Sequence, residues 1–320
     1  MLLRTLVGVV AGLVACASNQ ALAQEGSYNF EFLFDPLLEE AVGSTIVFTK
    51  LSENQGQDEF LVAEIYTMSP DGSNQLRITT NATFDLFPEL SPDGMTVAFQ
   101  GTFGATGPRQ IQLVDTDGSN ERTLTTGDNP SWSPNGQQLA FNAPGVDGRA
   151  DIWIINADGT GLTNITQTPW GDSRPDFSPN GQKIAYQSSR TGNPEIWVMS
   201  SDGTNPVQVT NHPAADEAPD WSPNGQRLLF QSRRDDPQGD IYVVDNQGVH
   251  RLTTSAGRDL DPNWSPTGQR IVFDSDRNYI QQQMRQVFIM NEDGSDQHPI
   301  TFPPHEDSHA SWTHGNSNAY

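Results

Sequence analysis

The sequence predicts an all-β fold made of one repeated unit, and three observations point to it. First, a phrase of the form Pro-x-Trp-Ser-Pro-Asn-Gly returns every 42 to 48 residues. Its copies are residues 88–94, 130–136, 175–181, 219–225 and 262–268, with a degenerate copy at 310–315. Second, short apolar and β-branched runs follow each copy, as expected for strands. Third, Asn-Gly and Asp-Gly pairs between these runs supply the positive φ that tight hairpins need.

Each unit contains four strand signals in a fixed order. The Pro-x-Trp segment is the first, and an apolar triplet such as residues 139–141 is the second. The third is an apolar run such as residues 152–155, and the fourth ends in Thr after an Asp-Gly turn. Four antiparallel strands repeated six times are typical of a β-propeller. We therefore predict a six-bladed β-propeller with four-stranded antiparallel blades.

The two ends of the repeat region complement each other. Residues 45–48, 64–68 and 76–79 provide the second, third and fourth strands of a blade that has no first strand. Residues 308–312 form a first strand without the other three. An unpaired sheet edge is an aggregation risk. The sequence thus predicts that the C-terminal segment supplies the innermost strand of blade 1 and closes a propeller spanning residues 43–315.

The repeated phrase resembles the PD40, or WD40-like, repeats of the TolB-type six-bladed propellers. The resemblance covers roughly residues 43–315 and implies this fold and a place in the bacterial cell envelope. Proteins of the TolB type carry a large α/β domain before the propeller. Here residues 24–42 form only a short N-terminal extension, and 316–320 a tail. We expect a TolB-like propeller that lacks this domain.

The N-terminus resembles an export signal. Arg4 precedes the apolar run 5–15, and the small residues 21–23 suit cleavage after Ala23, so residues 1–23 are predicted to be a signal peptide. In the alternative, residues 1–15 are a lipoprotein signal and Cys16 is lipidated. Both predict export to the periplasm or beyond, the second with a lipid anchor. No later run reaches the ~20 apolar residues of a transmembrane helix.

The charge balance excludes some partners. Forty acidic residues against 17 Lys and Arg give a formal net charge of −23. A nucleic-acid-binding protein needs a basic surface, so nucleic acid is excluded as a partner. The single Cys excludes an internal disulfide. We expect a monomer with a protein or peptide partner in the envelope.

The two faces of the predicted propeller differ. One carries the uniform Asn-Gly and Asp-Gly turns, and we call it the turn face. The other carries the loops between second and third strands and between blades, whose lengths vary, and we call it the loop face. Variable loops on a rigid scaffold are where binding usually occurs.

An acidic residue precedes the Pro position by three residues in five units. These residues are Asp85, Asp172, Asp216, Asp259 and Asp307. They could form a weak ring of ligands for Ca²⁺ or another cation at the channel mouth. Alternatively, each accepts hydrogen bonds from its own loop backbone. Five-fold recurrence favours the structural alternative, and the sequence predicts no other cofactor.

Residues that differ between units are better candidates for ligand or partner contact. They are Trp170, Arg174, Glu217, Asp261, His305 and His309. A metal or general-base site needs convergent imidazole and carboxylate groups. The spacing of His305 and His309, on a loop that enters a strand, does not place both rings on one side. We therefore assign neither a metal ligand nor a catalytic residue.

The predicted function is non-catalytic binding. An exported propeller would engage its partner through the loop face and channel mouth, an inference by analogy with the fold. The alternative is a propeller enzyme of the polysaccharide lyase or hydrolase type acting at the mouth. Convergence of His305, His309, Arg174 and neighbouring acids would favour the enzyme.

Overall fold

The structure is a computed structural model and describes residues 44–53, 61–81, 83–103 and 107–314. The predicted leader with Cys16, the extension 24–42 and the tail 316–320 lie outside the described residues. Within the described ranges all regular elements are β-strands, so the all-β prediction is confirmed. None of the described residues belongs to a helix long and apolar enough to span a membrane.

The strands form six groups of four, named here in chain order. Group 1 is β24 (Glu306–His314), β1 (Ser44–Glu53), β2 (Leu61–Met68) and β3 (Leu76–Arg77), and group 2 is β4 (Thr83–Leu90), β5 (Thr96–Phe103), β6 (Arg109–Asp115) and β7 (Arg122–Thr126). Group 3 is β8 (Asp128–Trp132), β9 (Gln138–Pro144), β10 (Ala150–Asn156) and β11 (Thr163–Asn164), and group 4 is β12 (Asp172–Phe177), β13 (Lys183–Ser188), β14 (Glu195–Ser200) and β15 (Val207–Gln208). Group 5 is β16 (Asp216–Trp221), β17 (Leu228–Ser232), β18 (Asp240–Asp245) and β19 (Gly248–Arg251), and group 6 is β20 (Asp259–Trp264), β21 (Arg270–Ser275), β22 (Gln286–Asn291) and β23 (His298–Pro299).

Strand pairing within each group is antiparallel. Groups 3 to 6 are separate four-stranded sheets, whereas groups 1 and 2 share an eight-stranded sheet through one parallel bridge between Ala63 and Phe84. The C-terminal strand β24 pairs with β1, with Trp312 opposite Ile46. The first strand of each group is thus the one that carries the repeated phrase. The architecture is an all-β propeller.

The repeated Thr at the end of the fourth strand fixes that strand to the third. Its hydroxyl accepts a hydrogen bond from a third-strand backbone N–H, and each distance lies between 2.9 and 3.0 Å. The pairs are Thr79 with Ile65, Thr166 with Ile152, Thr210 with Ile196, Thr253 with Ile241 and Thr301 with Val287. These hydrogen bonds hold in place outer strands of only two to four residues, which bury little surface of their own.

The repeated turn phrase also has a local cause. In the copy that ends at Gly136, the Ser133 hydroxyl donates to Asn135 Oδ1 (2.8 Å), and the same oxygen accepts from the backbone N–H of Gln137 (3.0 Å). Gly136 has φ 67°, which favours glycine. In the next copy a Cβ on Gly181 would lie 3.3 Å from the Pro134 ring of the preceding group. The phrase therefore stabilises both its own turn and the contact with its neighbour.

Candidate binding site at the channel mouth

The first strand of every group bulges at one position. There the residue before the repeated Pro, or before Ala310 in β24, has a φ of 48–53°. The six residues are Phe87, Asn129, Arg174, Ala218, Asp261 and His309. A bulge re-aims a side chain, and a positive φ is uncommon for residues other than glycine. These residues form a set, which we call the mouth ring.

A side chain from the preceding group holds several mouth-ring residues in place. The residue after the second-strand aromatic accepts the hydrogen bond of the mouth-ring backbone N–H. The contacts are Arg174 N to Asn142 Oδ1 (3.1 Å), Ala218 N to Gln187 Oε1 (3.2 Å), Asp261 N to Gln231 Oε1 (2.8 Å) and His309 N to Asp274 Oδ2 (2.9 Å). These hydrogen bonds fix the backbone at four of the six mouth-ring positions through main-chain atoms alone. The side chain at these positions can therefore differ from group to group.

The mouth ring surrounds a cavity of about 150 Å³. Three consecutive residues from each of six first strands line it. They are residues 87–89, 129–131, 174–176, 218–220, 261–263 and 309–311. From the loop face inward, the wall is the mouth ring, then mostly proline, then a polar layer.

An ion pair crosses the mouth. Arg174 of group 4 reaches past Ala218 and its guanidinium donates to Asp261 Oδ1 of group 6. The guanidinium carbon lies 5.1 Å from the centroid of the Phe87 ring, close enough for a cation–π contact. The Phe87 and His309 rings pack with centroids 4.0 Å apart. Four residues from four groups thus meet at one place.

The charges of this cluster cancel, because Arg174 is paired with Asp261 and His309 is neutral. Burial lowers the pKa of His309 to about 3, so the imidazole is neutral at pH 7. Burial alone would raise the pKa of Asp261, but the attraction of neighbouring cationic groups, Arg174 first, and the hydrogen bond from Arg174 together hold the pKa below its ordinary value. His309 Nε2 lies 3.8 Å from Asp261 Oδ2, too far for a hydrogen bond.

Group 6 adds a second layer beside the mouth ring. Asp274 is fully buried, and its Oδ2 accepts the His309 N–H and lies 3.6 Å from Arg285 Nη1. Arg285 also donates to Glu306 Oε1 (2.8 Å). Burial raises the pKa of Asp274 well above its usual value despite the attraction of Arg285.

The deeper polar layer of the cavity contains three carboxylates, Glu89, Asp176 and Asp220. Each accepts a backbone N–H from the next group: Trp132 N to Glu89 (3.1 Å), Trp221 N to Asp176 (2.7 Å) and Trp264 N to Asp220 (2.8 Å). Burial raises the pKa of Asp176 to about 7. Burial and the neighbouring carboxylates raise the pKa values of Glu89 and Asp220 well above normal.

Replacement of one channel carboxylate should change how stability depends on pH. The folded state raises the pKa of Asp176 from 3.8 to about 7, so it favours the protonated form. The stability from this preference is complete below pH 3.8 and is lost as the pH rises through 7. Asp176→Asn should therefore match wild type at pH 4 and exceed it at pH 8. Since Asp176 is only partly buried and lines an open cavity, solvent screening should reduce the effect, and we expect a gain of about 1–2 kcal/mol rather than the ~4 that three pKa units imply.

Calorimetric melting temperatures at pH 4 and pH 8 measure this difference. Asp158→Asn is the control, because hydrogen bonds from Thr160 lower the pKa of this exposed turn residue. Asp158→Asn should therefore give no gain in stability at pH 8. Equal effects of the two substitutions would contradict the assignment of a destabilising buried charge to Asp176.

The five repeated acids lie elsewhere. They are nearly or fully buried and are absent from the cavity lining, and Asp172, Asp216 and Asp259 begin first strands instead of lying in loops. Asp172, Asp216 and Asp259 pair with an Arg that follows the second strand of their own group. The pairs are Asp172 with Arg190, Asp216 with Arg234 and Asp259 with Arg277. Asp307 lies 4.0 Å from Lys50, and the backbone oxygen of Asp85 accepts from Thr49.

These contacts differ from both sequence interpretations. The main partners of Asp172, Asp216 and Asp259 are guanidinium groups and hydroxyls, not the backbone of their own loop, and the five carboxylates form no ring around the mouth. Each Arg also donates to the Ser that ends the second strand and lies over aromatic rings of its group. The recurrence thus reflects how a blade is built.

The candidate contact residues divide into two sets. Arg174, Asp261 and His309 meet at the mouth. Glu217 lies beside the ring and pairs with Arg233 (3.4 Å). Trp170 is 46% exposed in the loop before β12, and His305 precedes β24, so neither lines the cavity.

Sequence reasoning missed Phe87, Asp274 and Arg285. A signal for Asp274 was available: the residue after the second-strand aromatic is an amide in groups 2 to 5 (Gln100, Asn142, Gln187 and Gln231) and an acid only in group 6. Phe87 also differs from its counterparts. The spacing of residues along the sequence does not reveal that the Arg174 side chain contacts Asp261, two groups further along the chain.

Comparisons with known proteins agree with this fold. Residues 206–319 match the family described as the TolB beta propeller domain, PD40, and residues 146–238 match the Tricorn protease N-terminal beta propeller domain. A TolB homolog of Chlorobium luteolum is 32% identical over 156 residues, which are 48% of this chain and 33% of that protein. The Tol-Pal system protein TolB of Zymomonas mobilis is 40% identical over 70 residues, 21% of this chain and 15% of its own length.

Solved structures extend the likeness to most of the chain. TolB from Acinetobacter baumannii superposes with a TM-score of 0.71 at 19% identity, covering 86% of this chain and 67% of that one. Hydrazine synthase of Kuenenia stuttgartiensis gives 0.67 at 15% identity, over 85% and 47%. Such low identity supports the fold alone. The sequence matches span about a third or less of the curated relatives' length.

Proposed function

Because the chain belongs to the TolB-like β-propellers with PD40 repeats, we propose that it is an exported, non-catalytic binding protein of the bacterial cell envelope. A protein or peptide partner would be held at the loop face and channel mouth. Residues 1–23 would direct export, with lipidation of Cys16 as the alternative.

We further infer a closed six-bladed ring. The six groups of four strands, and the contribution of three residues from each first strand to one cavity, support this count. The pairing of β24 with β1 supports closure. So does the hydrogen bond from Trp312 N to Asn263 Oδ1 (2.8 Å), which links β24 to group 6.

The observation that carries the binding proposal is the variation within the mouth ring. Six equivalent positions share one backbone conformation but hold aromatic, amide, cationic, small, anionic and imidazole side chains. A purely structural position would be expected to repeat, as the Asp–Arg pairs do. Diverse side chains on a uniform rigid scaffold are what recognition of one partner requires.

The enzyme alternative receives support from one observation, since Arg174, His309 and Asp261 converge. The chemistry of the cluster nonetheless favours binding. A general base works best with a pKa near the working pH, whereas burial lowers the pKa of His309 to about 3. Arg174 is already paired with Asp261, so it offers no free charge to a transition state.

A pull-down from envelope extract of the producing bacterium tests the proposal. Wild type and Met95→Ala, which alters a residue that is 64% exposed on the turn face, should capture the same partner. Arg174→Ala/His309→Ala should retain less than a tenth of it. Since the double variant leaves Asp261 unpaired, Ala218→Phe serves as a second variant that fills the mouth without removing a charge. Absence of a specific partner for wild type, or equal capture by all variants, would refute the proposal.

A further inference from the structure

Beside the mouth, three potential metal ligands come together from β20, β21 and β24. One ligand atom each from Asp261, Asp274 and His309 lies within 4.8 Å of the other two. Asp274 is fully buried, and the side chains of Asp261 and His309 are 13% and 9% exposed. Asp261 and His309 line the cavity, which gives an ion a route from the loop face.

An unsatisfied acceptor marks the same place. Asp274 Oδ1 is buried and accepts no hydrogen bond from any described residue. Native structures rarely leave a buried acceptor in this state, because its lost hydration costs about 1–3 kcal/mol. The amides at this position in groups 3 to 5 accept the mouth-ring N–H with their carbonyl oxygen, and Asp274 does the same with Oδ2. Oδ1 of Asp274 is therefore left without a hydrogen-bonding role among the described residues.

The spacing of the donor atoms suits a small cation better than a direct contact. His309 Nε2 and Asp261 Oδ2 are 3.8 Å apart, beyond hydrogen-bond distance. Two ligands bound to one tetrahedral ion with bonds of 2.0–2.2 Å lie about 3.4 Å apart. Small side-chain shifts would therefore close the set. One imidazole and two carboxylates suit first-row transition metals, whereas Ca²⁺ prefers oxygen ligands alone.

We propose that Asp261, Asp274 and His309 form a site for a first-row divalent cation such as Zn²⁺ at the channel mouth. This goes beyond the proposed function, because it concerns an ion rather than the partner. The site leaves coordination positions open toward the cavity.

Two guanidinium groups limit the affinity of this site. Arg174 pairs with Asp261, and Arg285 lies 3.6 Å from Asp274 while also pairing with Glu306. A bound divalent cation competes with Arg174 for Asp261, since both are held by one carboxylate. Loss of the Arg174 charge should therefore tighten metal binding, an effect that an adventitious surface site would not show.

Calorimetric titration of the full chain with ZnCl₂, without any partner, tests the site. Asp274→Asn introduces the amide found at this position in groups 3 to 5, and His309→Gln removes the imidazole. Each substitution should weaken Zn²⁺ binding at least 10-fold. Arg174→Gln should tighten it by about 10-fold. His298→Ala alters a histidine that is 49% exposed and should change nothing.

Absorption of bound Co²⁺ provides a readout that does not depend on affinity. Tetrahedral visible bands that disappear in His309→Gln would support the site. No binding of Zn²⁺, or binding that survives both Asp274→Asn and His309→Gln, would overturn the proposal. Tighter binding of Ca²⁺ than of Zn²⁺ would overturn the assigned metal class. Because no partner enters these titrations, their failure leaves the pull-down result unaffected.

Discussion

Arg234→Ala is expected to lower the free energy of unfolding by about 3–5 kcal/mol, the usual effect of breaking a buried ion pair. Arg234 Nη2 donates to Asp216 Oδ2 at 2.6 Å, and Asp216 is fully buried. Its guanidinium also lies 4.9 Å from the centroid of the Tyr242 ring. Truncation would leave an uncompensated carboxylate and remove this packing.

The neighbouring residue is a matched control. Arg233 is 49% exposed and pairs with Glu217 at 3.4 Å, so Arg233→Ala should cost no more than about 1 kcal/mol. Calorimetry should show a melting temperature about 10 °C lower for Arg234→Ala and nearly unchanged for Arg233→Ala. Adding Asp216→Asn to Arg234→Ala should recover part of the loss, because it removes the unpaired charge. Equal melting temperatures for the two single variants would contradict the structural role of the repeated pair.

Trp312→Ala has the second large expected effect, a loss of about 3–5 kcal/mol in the free energy of unfolding. Trp312 is buried in a cluster with Ile46, Phe48 and Met68 of group 1 and with residues of group 6. It therefore packs at the junction that the inferred ring closure creates. The cavity left by Trp312→Ala would therefore weaken the packing of group 1 and of group 6 at the same time.

Phe302→Ala serves as the comparison, because this nearby aromatic is 66% exposed and should change stability by less than about 0.5 kcal/mol. Deletion of residues 306–320 should have a larger effect, since it removes β24 and leaves β1 as an open edge. We expect that variant to aggregate on expression. A soluble deletion variant with the wild-type melting temperature would argue against closure by this strand.

The fold was predictable because residues close together in the sequence determine its turns and strand pairs. Turns such as the one at Gly136 need a positive φ, and Thr residues such as Thr79 fix the outer strand to the third. Both signals act within a few residues or one unit, and both repeat. The strand pairing of β24 with β1 also followed from counting strands at the two ends.

The site was only partly predictable, because its contacts connect different groups. Variation between copies identified Arg174, Asp261 and His309 as candidates. It did not indicate that Arg174 crosses the mouth, since this depends on the small side chain of Ala218 and on the ring geometry. For the repeated acids, recurrence favoured a structural role. Asp172, Asp216 and Asp259 pair with the Arg after the second strand of their own group.

Site-specific photo-crosslinking in the envelope tests most directly whether a partner contacts the mouth ring. A photoreactive phenylalanine analogue replaces Phe87 in the mouth ring or Met95, which is 64% exposed on the turn face. If a partner contacts the mouth ring, position 87 captures a defined partner, position 95 does not, and Arg174→Gln reduces capture at 87. Capture from position 95 alone, or from position 87 without any dependence on Arg174, would contradict it.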